Sequence, residues 1–213
     1  QTKKIISKPK IGGIGSNSVF MFDSLNISKI SNKENVFFEE YLGDELYSYQ
    51  ALKVKGKFVF EFVLRKHIRY NSFTIDGFSA NVPNKYIKSI ICHARKFIDN
   101  TKIDNSFIGF DVVCKNNIFY FIDFGILLDA KIDQFLSFHK IAVFDLFLNS
   151  LFSKFTGKKY VLNKNSSMTF LYPNTEGKIK KLPNIKTSKN NSIILEFNKE
   201  LNDYCTLNNT VSD

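Results

Sequence analysis

Two aspartates set in apolar surroundings are the side chains of this sequence best placed to do chemistry. Ile108-Gly109-Phe110-Asp111-Val112-Val113 and Ile118-Phe119-Tyr120-Phe121-Ile122-Asp123-Phe124-Gly125 are apolar runs separated by the polar Lys115-Asn116-Asn117. They read as a hairpin turning near Asn116-Asn117, each strand carrying one acid that neither core packing nor strand propensity favours. On adjacent strands the two carboxylates come out near each other, and whether they share a face depends on the register. Two anions side by side repel unless a cation lies between them, and Mg2+ holding nucleotide phosphates is a common solution. The alternative is a pair of aspartates at strand edges, facing water.

Two further segments bear on that choice. Lys3-Lys4-Ile5-Ile6-Ser7-Lys8-Pro9-Lys10 leads into Ile11-Gly12-Gly13-Ile14-Gly15-Ser16-Asn17-Ser18-Val19-Phe20. This predicts a short strand, a loop whose glycines let backbone N-H groups approach an anion, and a second strand. Gly-Gly-x-Gly also makes ordinary hairpin turns, and the GxxxxGK[ST] loop and a Rossmann helix are both missing here. The other segment is Val36-Phe37-Phe38-Glu39-Glu40-Tyr41-Leu42-Gly43-Asp44-Glu45. Its carboxylates suit either a solvated surface or acceptors for an adenine amino group and ribose hydroxyls.

In this order the three elements resemble the ATP-grasp superfamily, of the carboxylate-amine ligase type, over about residues 3 to 133. The lysine-proline strand and Gly-rich flap of that family look like Lys8-Pro9 through Val19, its hinge like Glu39 to Glu45, and its acidic hairpin like Asp111 and Asp123. The resemblance implies that ATP and Mg2+ are the cofactors. It implies Lys8 on nucleotide phosphate beneath a cover formed by Gly12, Gly13, Gly15 and Ser16. Glu39 and the backbone of Leu42 would hold adenine, Glu45 the ribose, and Asp111 with Asp123 the metal. The implied reaction joins a carboxylate to an amine through an acyl-phosphate.

The sequence departs from the family where E-x-N-P-R or E-x-G-A-R is usual: here Asp123-Phe124-Gly125-Ile126-Leu127 puts a leucine in place of arginine. The family also implies a further phosphate-binding lysine and a preceding domain upstream, so the chain is read as a piece of a longer enzyme. A non-catalytic nucleotide-binding module and a kinase-like phosphotransferase are the alternatives. The second rests on Gly13-x-Gly15, Asp111 and Asp123-Phe124-Gly125 but lacks a VAIK-type strand and a His-Arg before Asp111.

The elements that must position these residues fit an α+β fold: two subdomains with mainly antiparallel sheets enclosing the nucleotide. We expect a flap subdomain over residues 1–42, a metal-binding subdomain over 43–157 and a short-strand extension over 158–213. The runs from Tyr47 to Lys53 and from Lys57 to Arg65 flank Lys55-Gly56 and predict a hairpin. It delivers Arg65, read either as a catalytic cation that would replace the arginine missing at Leu127 or as a solvated strand end. Residues 71–82 read as irregular, with Asp76-Gly77 as a turn. Pro83 opens a helix whose apolar positions Ile87, Ile90, Ile91, Ala94 and Phe97 follow a 3.6 period up to Asn100. A second helix is predicted over Phe138 to Phe155, ended by Gly157, with Ile141, Phe144, Leu148, Leu151, Phe152 and Phe155 as its core face. Strands are predicted at Ser167 to Tyr172, Gly177 to Lys181 and Ile193 to Phe197.

Composition narrows the partners. The 213 residues, 44% hydrophobic with 23 Phe and no Trp, are enough for a packed core. A net charge of +10 comes from 30 basic and 20 acidic residues. Its arginines are Arg65, Arg69 and Arg95, which argues against nucleic acid as the partner and leaves small anionic ligands. Cys92, Cys114 and Cys205 have no CxxC spacing, pointing to free thiols in a reducing compartment, the cytoplasm by default. No run of about eighteen apolar residues predicts a membrane span. His67, His93 and His139 have no paired spacing, and an oligomer is compatible with the sequence.

Overall fold

The computed structural model describes residues 4–10, 20–23, 35–43, 45–69, 74–152, 160–170, 177–178 and 204–205. The chain divides into two compact units, Gln1–Phe170 and Leu171–Asp213. In the first, β1 (Lys4–Pro9) is flanked by β2 (Phe20–Asp23) and β3 (Val36–Glu40), both antiparallel to it. The larger sheet contains β4 (Leu46–Val54), β5 (Lys57–Ile68), β6 (Ile75–Ser79), β7 (Ser106–Lys115), β8 (Ile118–Gly125) and β9 (Ser167–Thr169), in the antiparallel order β8-β7-β4-β5-β6-β9. Among the described residues the unit also holds three helices: α1 (Asn84–Thr101), α2 (Ala130–Phe138) and α3 (Val143–Phe152). In the second unit Gly177 pairs with Cys205 and Lys178 with Tyr204, as β10 (Gly177–Lys178) against β11 (Tyr204–Cys205). The α+β architecture is the one expected.

Period-two alternation along β4 gives the large sheet two different faces. Tyr47, Tyr49 and Ala51 point toward α1, whose Ile90, Ala94 and Ile98 are buried against them. The helix starts after Pro83, as its fixed φ allows, and ends at Lys102 in the left-handed conformation. Polar contacts fasten it to the sheet. The Tyr49 hydroxyl donates to Glu61 at 2.9 Å, the Arg95 guanidinium forks onto the same carboxylate, and Lys53 pairs with Asp99 at 3.0 Å. On the opposite face Leu52, Phe60, Phe62, Leu64 and Phe78 pack under Ile132, Phe135 and Leu136 of α2.

The helix expected over Phe138 to Phe155 starts only at Val143, as α3, and α2, which was not expected, precedes it over Ala130–Phe138. The chain breaks at residues 139–142, where Lys140 takes a φ of 58° and Ile141 N-H donates back to the Leu136 carbonyl. Breaking there buries Ile141 and Val143 in the same core as α2, which one straight helix could not do. The expected core face is corrected with it: Phe144 and Leu148 are exposed, Phe152 is 83% exposed, and Val143 and Ser150 are the buried residues of α3. Phe155 and Gly157 lie outside the described residues, as do Ile193 to Phe197.

Asp76-Gly77 is a second correction, lying within β6 and not in a turn. Gly77 pairs with Thr169, and a Cβ built on it would stand 2.1 Å from the Met168 carbonyl oxygen. The glycine there permits close approach of a neighbouring backbone. Gly77→Ala is accordingly expected to push β9 off the sheet and lower the unfolding free energy by about 2 kcal/mol. Urea denaturation followed by circular dichroism measures this, and an unchanged midpoint would refute it.

Candidate functional site

The β7–β8 hairpin turns through Asn116 and Asn117, whose φ values of 54° and 60° are those of a two-residue turn that matches strand twist. From there the ladder runs one to one: Lys115 against Ile118, Cys114 against Phe119, Val113 against Tyr120, Val112 against Phe121. Continued unchanged, it would set Asp111 against Ile122. A register shift between Asp111 and Val112 leaves Ile122 as an extra residue, and Asp111 faces Asp123. Such a bulge re-aims the side chains beyond it. It brings both carboxylates to one open cleft of about 130 Å³, lined also by Gln50, Lys66, Gly109 and Leu127.

The floor of the cleft is the polar end of the sheet face whose other end is covered by α2. Ser48 and Gln50 are buried on β4, and the Gln50 side-chain N-H donates to the Ser48 hydroxyl at 2.9 Å. Gly109 leaves room for that amide, since a Cβ at this position would come within 2.9 Å of it. On β5 the inward series Phe60, Phe62, Leu64 continues into Lys66, whose side chain is only 5% exposed and whose Nζ lies 2.5 Å from Asp111 Oδ1. Asp123 is exposed, one of its oxygens accepting from the Phe124 N-H at 2.8 Å. Asp129 caps α2 by accepting from the Lys131 N-H at 2.8 Å and also borders the cleft. Burial pushes the Lys131 ammonium below its ordinary range, Asp129 opposes that shift and Lys66 adds to it.

The remaining sequence-predicted residues that are described do not line this cleft. Arg65 is a correction: it pairs in register with Tyr47, one residue out of phase with Lys66, and so belongs to the opposite face of the sheet. The cation beside the aspartates is Lys66. Glu45 accepts from the Tyr47 hydroxyl at 2.7 Å, and Leu42 lies in the connection between β3 and β4. On the small sheet Lys8 and Glu39 meet at 2.7 Å, and Lys8 also lies over the Phe37 ring. Glu40 pairs with Lys115 at 2.8 Å, tying β3 to the end of the acidic hairpin. Gly12, Gly13, Gly15 and Ser16 lie outside the described residues. Lys66, Ser48, Gln50 and Asp129 are additions; the signal for the first three was polar residues continuing otherwise apolar inward-facing series on β4 and β5, and Asp129 comes in as the N-cap of α2.

Mg2+ fits the donor set in one specific way. Among the described residues no three His, Cys, Asp or Glu side chains are grouped to hold an ion. Mg2+, however, is commonly held by one or two carboxylates with substrate phosphates and water completing the shell. Asp111 facing Asp123 supplies that number.

Asp111→Ala would strand Lys66 as a buried cation and is expected to lower the unfolding free energy by about 3 kcal/mol. Asp123→Ala removes a solvent-facing side chain and should change it by under about 1 kcal/mol. Equal losses in urea titrations of the two variants would contradict this division.

No family model matches the chain, and no curated protein matches it in sequence. Solved structures match in three dimensions. Phosphoribosylglycinamide synthetase from Anaerococcus prevotii aligns with a TM-score of 0.61 at 15% identity, over 94% of this chain and 54% of that one. N5-carboxyaminoimidazole synthetase from Staphylococcus aureus, solved with ADP, gives 0.54 at 14% identity over 78% of this chain and 44% of that one. The biotin carboxylase domain of 2-oxoglutarate carboxylase from Hydrogenobacter thermophilus, solved with MgADP, ADP and bicarbonate, gives 0.51 at 11% over 68% and 36%. The chain spans about half the length of the first of these and less of the others. Its antiparallel sheets and flanking helices are shared with these solved structures, and the chain has the ATP-grasp fold.

Proposed function

We propose that this chain forms the nucleotide- and metal-binding part of an ATP-dependent carboxylate-amine ligase. The observation that carries the reading is the facing pair Asp111 and Asp123 at a cleft of this fold. Bound Mg2+ would neutralise phosphate charge, held by that pair. A substrate carboxylate oxygen attacks the γ-phosphorus, the bond to the β,γ-bridging oxygen breaks and ADP leaves. The amine nitrogen then attacks the acyl carbon, phosphate leaves and the amine gives up a proton. Such phosphoryl transfer depends on positioning and on donors placed where charge spreads, with little covalent work for the protein.

This chain's own residues supply several of those parts. Lys8 is a cation held in place by Glu39 and Phe37, able to pass to a phosphate oxygen. Glu39, Leu42 and Glu45 lie on or beside the link between the sheets and would take the adenosine end, with Gly12 to Ser16 as the cover. Gln50, buried at the cleft, donates its side-chain N-H to the buried Ser48 hydroxyl, which holds the amide in place. Leu127, 69% exposed at the cleft where relatives by resemblance carry arginine, favours a second reading, a nucleotide-binding module without turnover.

Calorimetric titration of MgATP into the chain is expected to show one site in the about 1 μM to 1 mM range. Asp123→Ala should weaken it at least about tenfold. Absence of binding to the unaltered chain would overturn both readings. Phosphate release in a panel of carboxylates and amines, using the full gene product, separates ligase from binding module.

A further inference from the structure

We propose that Lys66 is a resident counter-cation that keeps the aspartate pair from taking a divalent ion by itself, so that ion and polyphosphate enter together. The inference rests on the nucleotide reading above and goes beyond it by assigning an entry rule to a residue of this chain. Lys66 occupies a position where β5 otherwise points Phe60, Phe62 and Leu64 inward, and its charge is answered by Asp111 at 2.5 Å. A buried ammonium tolerates that position only while it is paired.

Charge counting gives the consequence. Asp111, Asp123 and Asp129 carry three negative charges at the cleft, and Lys66 with the adjacent Lys131 carries two positive ones. The net charge of minus one attracts a free dication weakly, and affinity for such ions follows the ligand charge count. A dication arriving alone on Asp111 must also expel Lys66 from its partner and leave an ammonium buried beside a second cation. A metal-polyphosphate complex avoids that cost. Its metal takes the carboxylate oxygens while its phosphate oxygens accept the released Lys66 ammonium, so every charge remains answered. Metal and nucleotide are thereby coupled, and the coupling is reciprocal.

The test is Mn2+ binding, read from the electron paramagnetic resonance signal of the free ion, on the full 213-residue chain. Unaltered protein is expected to bind Mn2+ weakly without nucleotide and to bind it when ADP is present. Lys66→Met should bind Mn2+ alone at least about tenfold more tightly than the unaltered protein, with the enhancement by ADP reduced to match. Lys66→Gln keeps a donor to Asp111 while removing the charge and should show the same gain, which covers the case in which the methionine variant fails to fold. Adding Asp123→Asn to either variant should abolish the gain. If ADP promotes Mn2+ binding to the unaltered chain but both Lys66 variants bind Mn2+ alone no better than it does, the inference falls and the nucleotide reading stands. If ADP and Mn2+ together fail to bind the unaltered chain, the nucleotide reading falls and takes the inference with it.

Discussion

Like charges held across one rung of an antiparallel ladder repel, and the large sheet is organised around answering that repulsion. Asp111 lies on a central strand, where its carboxylate is only partly reached by water, and Asp123 on the edge strand beside it. Lys66 answers the inner charge across β4, and solvent answers the outer one. Around them, the sheet face changes character along its length. One end carries Leu52, Phe60, Phe62 and Leu64 beneath α2, and the other carries Ser48, Gln50 and Lys66. The apolar end gives the rigidity that a polar cleft cannot give itself, because buried polar groups hold a fixed geometry only when each is partnered.

The opposite face does different work. There Tyr47, Tyr49 and Ala51 pack against Ile90, Ala94 and Ile98, and the Glu61 carboxylate joins Tyr49 of the sheet to Arg95 of the helix. Burial, then the Glu61 charge and its hydrogen bond, push the Tyr49 phenol well above its ordinary range, so it remains a neutral donor. Arg65 belongs to this face, and that is why a cation read from the sequence as serving the cleft does not reach it.

How much could be read beforehand follows from which signals are local. The hairpins at Lys55-Gly56 and Asn116-Asn117, and the helix after Pro83, are written in short-range turn and period patterns, and they formed where expected. The facing of Asp111 and Asp123 was open until the register was known, because a single bulge decides it. Choosing Lys66 over Arg65 needed the phase of β5, which two adjacent cations leave ambiguous. The break at 139–142 was hidden because the apolar residues Ile141, Phe144, Leu148 and Phe152 satisfy a helical period while the tertiary core selects Ile141 and Val143. Gly77 misled for a related reason: Asp-Gly is a turn signal locally, whereas here the missing side chain admits β9.

The extra residue Ile122 has an effect on the outer rim as well. Among the described residues β8 is the last strand of its sheet, and it is rich in exposed apolar side chains, among them Ile118, Tyr120 and Phe124. A flat strand of that composition is a template for another chain to pair with. The bulge breaks its regular spacing of amides and carbonyls midway and twists the rim. A single inserted residue thus sets both the facing of Asp111 and Asp123 and the shape of the sheet's outer rim, and neither can be altered without touching the other.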